Sequence, residues 1–374
     1  MMGETSLSSV YARLRTENAN PVLADFTRRV ESGQSLSRAE AREVMGQLAS
    51  GQFSERQAAE FLVAMSRKGV TPEELIGFAE AARARSRKLD LGLPPDAVLA
   101  DTCGTGCDAL GTINVSTTVM FILAAAGVKI AKHGNKAITS RSGSADVLER
   151  LGVKLSPGPE VVARCIREVG VGFLFAPGYH ESFRHVQAVR RALMEAGMKT
   201  VFNYLGPLTN PACAKRQLVG VFRPEITRLM AETLRGLGVE RALCVCGEVD
   251  SHPGQFLDEF SSLGETETVE LRDERLLERR YAPEDFGIER AALDAVRGGD
   301  AEQNARILLA ILSGKERGPM RDLILLNAGA AVYICKDGVP TILEGMRMAQ
   351  SCLDSGSALQ KLESLRKISN SPEP

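Results

Sequence analysis

The sequence predicts a small all-helical N-terminal domain followed by a larger α/β domain with a mostly parallel central sheet. Three observations carry that expectation. At 374 residues the chain exceeds one ordinary domain. Its first quarter repeats helix-start signals, with no strand-like run before Ser86. From Val98 onward, short β-prone runs alternate with longer helical segments, as in parallel sheets built from strand–helix units. Hydrophobic residues make up 44% and charged residues 25%, which excludes disorder for the bulk of the chain. With 5% aromatics and no Trp, the core must be built from Leu, Val, Ile and Ala.

Ser37-Arg38-Ala39-Glu40, Ser54-Glu55-Arg56-Gln57 and Thr71-Pro72-Glu73-Glu74 each match the capping box. In that motif a hydroxyl and a side-chain acceptor satisfy orphan donors at a helix start. Pro72 takes the favoured first helical position. Ala58, Phe61, Leu62 and Met65 follow at helical spacing, and residues 87–97, with two prolines and a glycine, read as a linker. Beyond it, Val128–Ala131, Val171–Ala176, Leu218–Phe222 and Ala242–Cys246 read as strands. Ser116–Ala126, Pro224–Leu237 and Asn304–Ser313 read as helices, and helix continues to about Ile368 before a frayed tail.

Lys and Arg total 46 against 47 Asp and Glu, a net charge of −1, so nucleic acid is not an expected partner. The longest apolar stretch, Val119–Val128, is about half a membrane span, and no transmembrane helix is expected. The N-terminal residues lack an apolar core and carry two Glu, indicating neither export nor transit. Eight Cys without a CxxC pair read as reduced thiols of a cytoplasmic protein. Cys244, Cys246 and His252 could be taken for metal ligands, but a strand followed by a loop is the commoner case.

The densest chemical signal lies in residues 100–152. A short apolar run leads into Gly104-Thr105-Gly106 and then a helix near Ser116, a turn that lets backbone N–H groups converge on an anion. Gly104 to Ala109 also matches a dinucleotide fingerprint, yet no acid follows between Asp108 and Asp146 to hold a ribose hydroxyl, so a nicotinamide cofactor is not expected. Phosphate suits the neighbours better. Lys132-His133-Gly134-Asn135-Lys136 sets two cations and an amide beside a glycine, and Ser140-Arg141-Ser142-Gly143-Ser144 opens the helix Ala145–Leu151. Two such cradles would fit a ligand with phosphates at both ends.

The runs GTGCD, INVSTT, AKHGNK and SRSGSADVLERLGV, with VFNYLGPLTNP at 201–211 and Asp258-Glu259-Phe260-Ser261, resemble the anthranilate phosphoribosyltransferase family (glycosyltransferase family 3) in the same order. The resemblance extends from about residue 23 to 366. It implies a nucleoside phosphorylase/phosphoribosyltransferase-like fold. A helical domain over 1–95, joined by part of 180–215, would stand beside a phosphoribosyl-pyrophosphate-binding domain over 96–374. It further implies a homodimer that joins phosphoribosyl pyrophosphate (PRPP) to anthranilate in tryptophan biosynthesis, with Mg²⁺ as cofactor. Gly104, Asp108, Thr112, Asn114, Ser116, Thr117, Lys132, Asn135 and Ser144 would hold PRPP. Asp258 and Glu259, with Ser116, would hold Mg²⁺, and Lys132 would stabilise the departing pyrophosphate. Arg190 would meet the anthranilate carboxylate, with His133, Asn135, His180 and Pro207 lining its pocket at the domain junction.

Several positions depart from the family pattern. Cys107 and Ala109 stand where glycines are usual and Lys136 where arginine is usual, while extra residues fall at 192–198 and 249–256. Two other readings therefore stay open: a paralogue acting on another aromatic or nitrogen acceptor, and a non-catalytic relative that binds nucleic acid.

Overall fold

The computed structural model describes residues 4–94, 96–106, 108, 110–137 and 141–372. Cys107 and Ala109 lie outside the described residues. The chain divides into two compact units, Met1–Arg87 with Tyr179–Thr209, and Lys88–Gly178 with Asn210–Pro374.

The first unit opens with five helices: α1 (Glu4–Arg13), α2 (Pro21–Glu31), α3 (Arg38–Ser50), α4 (Glu55–Lys68) and α5 (Pro72–Arg85). All three expected capping boxes are formed, at Ser37/Glu40, Ser54/Gln57 and Thr71/Glu74. Phe61 on α4 meets Phe78 on α5 edge to face at 6.5 Å, within a core that also holds Leu23, Met45, Leu48 and Leu62. The returning segment adds helices Gln187–Glu195 and Phe202–Leu208, whose last carbonyl accepts the Arg83 Nε–H at 2.7 Å.

The second unit is built on one sheet of eight strands. These are β1 (Leu99–Gly104), β2 (Lys129–Gly134), β3 (Val171–Phe175), β4 (Arg216–Gly220), β5 (Arg241–Glu248), β6 (Phe256–Leu257), β7 (Thr266–Arg272) and β8 (Arg275–Tyr281). The order is β3-β2-β1-β4-β5-β7-β8, with β6 paired to β5. The first five strands are mutually parallel and mostly buried, as expected where both faces are covered. Cys244 and Cys246 both lie on β5, in the strand read from the sequence. The antiparallel β7–β8 hairpin was not foreseen. Its turn is Asp273-Glu274, both at positive φ, and β8 carries a charged and largely exposed edge.

Helix α6 (Val115–Ala125) is buried from Thr117 to Ala124 and packs between the sheet and the helices Pro319–Cys335 and Ser357–Ser369. Helix α7 (Ser144–Arg150) follows β2. At the opposite end of the sheet, Arg216 and Arg241 lie side by side in register and donate to the last carbonyls of Pro319–Cys335, at Cys335 (3.0 Å) and Tyr333 (2.8 Å). Two guanidinium groups thus satisfy carbonyls that end a helix without intrahelical partners.

One buried carboxylate organises the helical unit. Glu74 accepts the Leu36 N–H at 2.8 Å through Oε1, and the Thr71 N–H at 2.8 Å and Lys68 Nζ at 2.9 Å through Oε2. Glu74→Ala would leave the Lys68 ammonium buried without its partner. The loss expected in a urea titration is about 3–5 kcal/mol, whereas Glu74→Gln, which keeps an oxygen acceptor, should cost less.

Candidate active site

From β1 the chain runs outward through β2 and β3, then returns to place β4 and β5 on the other side of β1. The order therefore reverses between β1 and β4. In open α/β sheets, ligands bind at the carboxyl ends of the strands beside such a reversal. Here both strands end in glycine, and Gly104 and Gly220 are register partners. The Thr105 N–H continues the pairing onto the Gly220 carbonyl at 3.0 Å.

Asp258 lies across these two glycines. A Cβ on Gly220 would overlap the Asp258 backbone carbonyl, and one on Gly104 would come within 2.7 Å of the Asp258 carboxylate. The absence of side chains is what lets the acidic segment approach. Asp258 Oδ2 accepts the Gly106 N–H at 2.6 Å and the Thr105 hydroxyl at 3.4 Å. Burial raises its pKa, while the Gly106 N–H, the Asp108 carboxyl and the Thr105 hydroxyl work against that rise. Glu259 is pushed well above the usual carboxylate range by burial first and then by Asp258, with Lys132 and the Ser116 N–H opposing. The segment is pinned from behind by Asn327, which accepts the Phe260 N–H at 2.9 Å and donates to the Phe260 carbonyl at 2.8 Å.

Lys132 at the end of β2 is almost wholly buried and donates to the Thr102 carbonyl and, at 3.1 Å, to Ser116 Oγ. Its charge sits beneath the glycine loop, close enough to Glu259 and Asp101 to favour their ionised forms. Asp101 is pushed up to about 6, first by burial. It accepts the Asn210 side-chain amide at 2.7 Å and the His133 N–H at 3.3 Å.

The second cradle forms where β2 leads to α7. The Asn135 carbonyl accepts the Ala145 N–H at 3.2 Å and the Ser144 hydroxyl at 3.3 Å. Asp146 closes the loop by accepting the Ala137 and Gly143 N–H groups at 2.8 and 2.9 Å. Asn114 reaches across to the Ser142 carbonyl at 3.4 Å. The α/β unit thus gathers Gly104, Asp108, Asn114, Ser116, Lys132, Asn135, Ser144, Asp258 and Glu259 around the carboxyl ends of its strands. Thr112 bridges to Arg297, and Thr117 is buried in the first turn of α6. Lys136 pairs with Glu149 at 2.9 Å on an exposed face. Sequence reasoning passed over Asp101, Asn210, Gly220 and Asn327. Asn210 lay inside a recognised motif and Asp101 at the start of the 100–152 run, but all four act through burial and long-range contacts that local patterning does not display.

In the helical unit, the half-buried Arg190 guanidinium stacks over the Phe202 ring at 4.6 Å, and Phe183 meets Phe202 edge to face. No carboxylate pairs with Arg190 among the described residues, and burial lowers its pKa. Pro207 is buried within the helix Phe202–Leu208. Burial lowers the His180 imidazole to about 4, partly opposed by a hydrogen bond with the Thr209 backbone.

A glycosyl transferase family model, described as the a/b domain, matches residues 96–359, and the helical bundle domain of the same family matches 24–86. The chain belongs to this glycosyl transferase family. Anthranilate phosphoribosyltransferase of Rubrobacter xylanophilus is 47% identical over 93% of this chain and 98% of its own length. The crystal structure of the enzyme of that name from Thermus thermophilus aligns at a TM-score of 0.83 with 42% identity, over 93% of this chain and all of the other. The Saccharomyces cerevisiae enzyme, solved in complex with PRPP and Mg, aligns at 0.82 with 28% identity over 95% of this chain and 99% of the other. The two-domain fold expected from the sequence is the fold of this glycosyl transferase family.

The low pKa of His180 has a measurable consequence. The folded protein holds the imidazole neutral down to about 4, whereas the unfolded chain protonates near 6.5. Stability from this group is complete above the unfolded value and should decline as pH falls from 6.5 toward 4. An NMR titration should give a His180 midpoint near 4, and His180→Gln should remove this part of the pH dependence.

Proposed function

We propose that the protein transfers the phosphoribosyl group of PRPP to anthranilate, giving N-(5-phosphoribosyl)anthranilate and pyrophosphate in tryptophan biosynthesis. The supporting observation is the clasp of Asp258 and Glu259 against Gly104, Gly106 and Ser116 at the strand reversal. It occurs in a chain matching enzymes of that name over nearly the full length of both.

Mg²⁺ fits the residues present. Asp258 and Glu259 offer hard oxygens whose buried charge is incompletely balanced, and Ser116 Oγ adjoins them through Lys132. Among the described residues no group of three or more His, Cys, Asp or Glu could hold a metal. Two carboxylates suit a cation that keeps waters and binds substrate phosphates. When bound, Mg²⁺ would neutralise charge on the pyrophosphate. Lys132 adds a fixed positive charge from beneath the loop, while Asn114, Ser144 and the loop amides orient the donor.

On the acceptor side, Arg190 lies over the Phe202 ring with no carboxylate partner among the described residues, and its guanidinium suits a planar carboxylate. Neutral His180 and the apolar Pro207, both of the helical unit, would offer uncharged surface to the aromatic ring. The amine of anthranilate is unprotonated near neutral pH. Its lone pair forms the new bond to the anomeric carbon as the bond to pyrophosphate breaks, and the nitrogen then gives up a proton. The reaction needs alignment more than acid–base machinery.

The retained acid pair and the near-zero net charge speak against a nucleic-acid-binding role. No helix among the described residues is long and apolar enough to cross a membrane. We place the enzyme in the cytoplasm as a homodimer, to be checked by light scattering, where a monomer mass would refute the dimer.

The test is turnover of anthranilate with PRPP and Mg²⁺ beside other aromatic amines. Preference for another amine would favour the paralogue. Changing Asp258→Asn and Glu259→Gln together should abolish turnover while leaving the circular dichroism spectrum intact, and wild-type turnover would refute the metal assignment. Arg190→Ala removes a charge-assisted contact worth about 1.5–3 kcal/mol, so KM for anthranilate should rise roughly 10- to 200-fold. KM for PRPP should stay nearly unchanged.

A further inference from the structure

The segment Val296–Gly299, remote in sequence from every recognised motif, runs along the second half of the glycine loop. Ile113 N–H donates to the Val296 carbonyl at 3.2 Å, and Gly298 N–H to the Gly111 carbonyl at 2.9 Å. Thr112 forms a β-bridge with Arg297. Buried Asn304, on the helix Ala301–Leu312 that follows, continues the contact to Asn114.

The direction of these side-chain bonds is fixed by the backbone. Gly299 N–H can only donate, and it reaches Asn304 Oδ1 at 2.8 Å. The other end of the Asn304 amide is therefore its NH₂ group, which donates to Asn114 Oδ1 at 2.8 Å. With its oxygen taken, Asn114 must turn its own NH₂ group the other way, toward the Ser142 carbonyl at 3.4 Å, a long and weak contact. A backbone amide thus sets the polarity of a side chain two bonds away.

We propose that Asn304 is a positioning residue for donor binding: it holds the Asn114 amide with nitrogen toward the substrate, so that this position donates to an anionic oxygen of PRPP. An Asn free to rotate would present its carbonyl oxygen to the same anion about as readily and repel it. The inference rests on the PRPP site proposed above, and the two fail differently.

The experiment is calorimetric titration of the full-length protein with PRPP and Mg²⁺, without acceptor. Asn304→Leu should weaken PRPP binding about ten-fold, and in a separate turnover assay KM for anthranilate should be unchanged. Asn114→Ala should weaken it similarly, and the double variant should bind no worse than Asn114→Ala alone, because Asn304 acts only through Asn114. Asn304→Asp gives a second reading should the leucine variant unfold. It keeps an acceptor for Gly299 N–H but offers Asn114 a second acceptor, forcing the Asn114 amide to turn over. It should bind PRPP more weakly still while keeping a cooperative melting transition, at a lower temperature because a carboxylate replaces a buried amide. Wild-type affinity in Asn304→Leu or Asn304→Asp, or additive losses in the double variant, would overturn the positioning role. If the wild-type protein itself binds no PRPP, the functional reading falls and takes this inference with it.

Discussion

The approach of the Asp258 segment to two bare strand ends is the constraint on which the site depends. Parallel register places Gly104 opposite Gly220, and there a third stretch of backbone descends onto the sheet. Once seated, Asp258 takes the Gly106 N–H, which fixes the glycine loop at the point where it leaves β1. The same descent carries Glu259 to the first turn of α6, where the Ser116 N–H meets it. A helix N-terminus favours negative charge, so the acid and the helix stabilise one another. Loop, helix and acidic pair therefore form one assembly, and a single methyl group on Gly220 would displace all three.

That assembly concentrates negative charge in a poorly hydrated place. Asp101 and Glu259 lie near one buried lysine, Lys132, while Asp108 and Asp258 add their charge beside Glu259, and burial raises the pKa of Asp101, Asp258 and Glu259. Buried charges usually cost more than their mutual attraction returns, so such an arrangement contributes little to folding. Perturbed carboxylates gathered at the mouth of a sheet are what a cation-dependent phosphate site requires. The lysine serves two purposes. It limits the repulsion among these carboxylates, and in the proposed reaction it would also supply positive charge for the departing pyrophosphate.

Much of this was legible in the sequence. The capping residues Ser37, Ser54 and Thr71 act locally, over three residues, and each box formed. The parallel strands were legible because strands buried on both faces are continuous apolar runs. The β7–β8 hairpin was missed because its outer strand, Arg-Leu-Leu-Glu-Arg-Arg-Tyr, is charged and exposed, and reads as polar surface. Within the site, motif residues were recoverable, but their supports were not. Nothing around Asn327 announces that it bonds the backbone at Phe260, 67 residues away.

The supports share a chemistry. Asn210, Asn304 and Asn327 are all buried, and each bonds both a donor and an acceptor with its one amide. Leucine would fill a similar volume but leave two buried polar groups unpaired at every site, at a cost of about 1–3 kcal/mol for each group. An amide also has a sense of direction that a hydrophobic contact lacks. Asn327 fixes where the acidic pair stands, Asn210 ties β2 to β1 through the Ala131 carbonyl and Asp101, and Asn304 fixes which atom Asn114 presents. Loops rich in glycine gain close approach at the loss of stiffness, and stiffness must then come from elsewhere in the chain. Here it comes from asparagines on helices and returning segments, whose hydrogen bonds tolerate neither a shift of register nor a reversal of polarity.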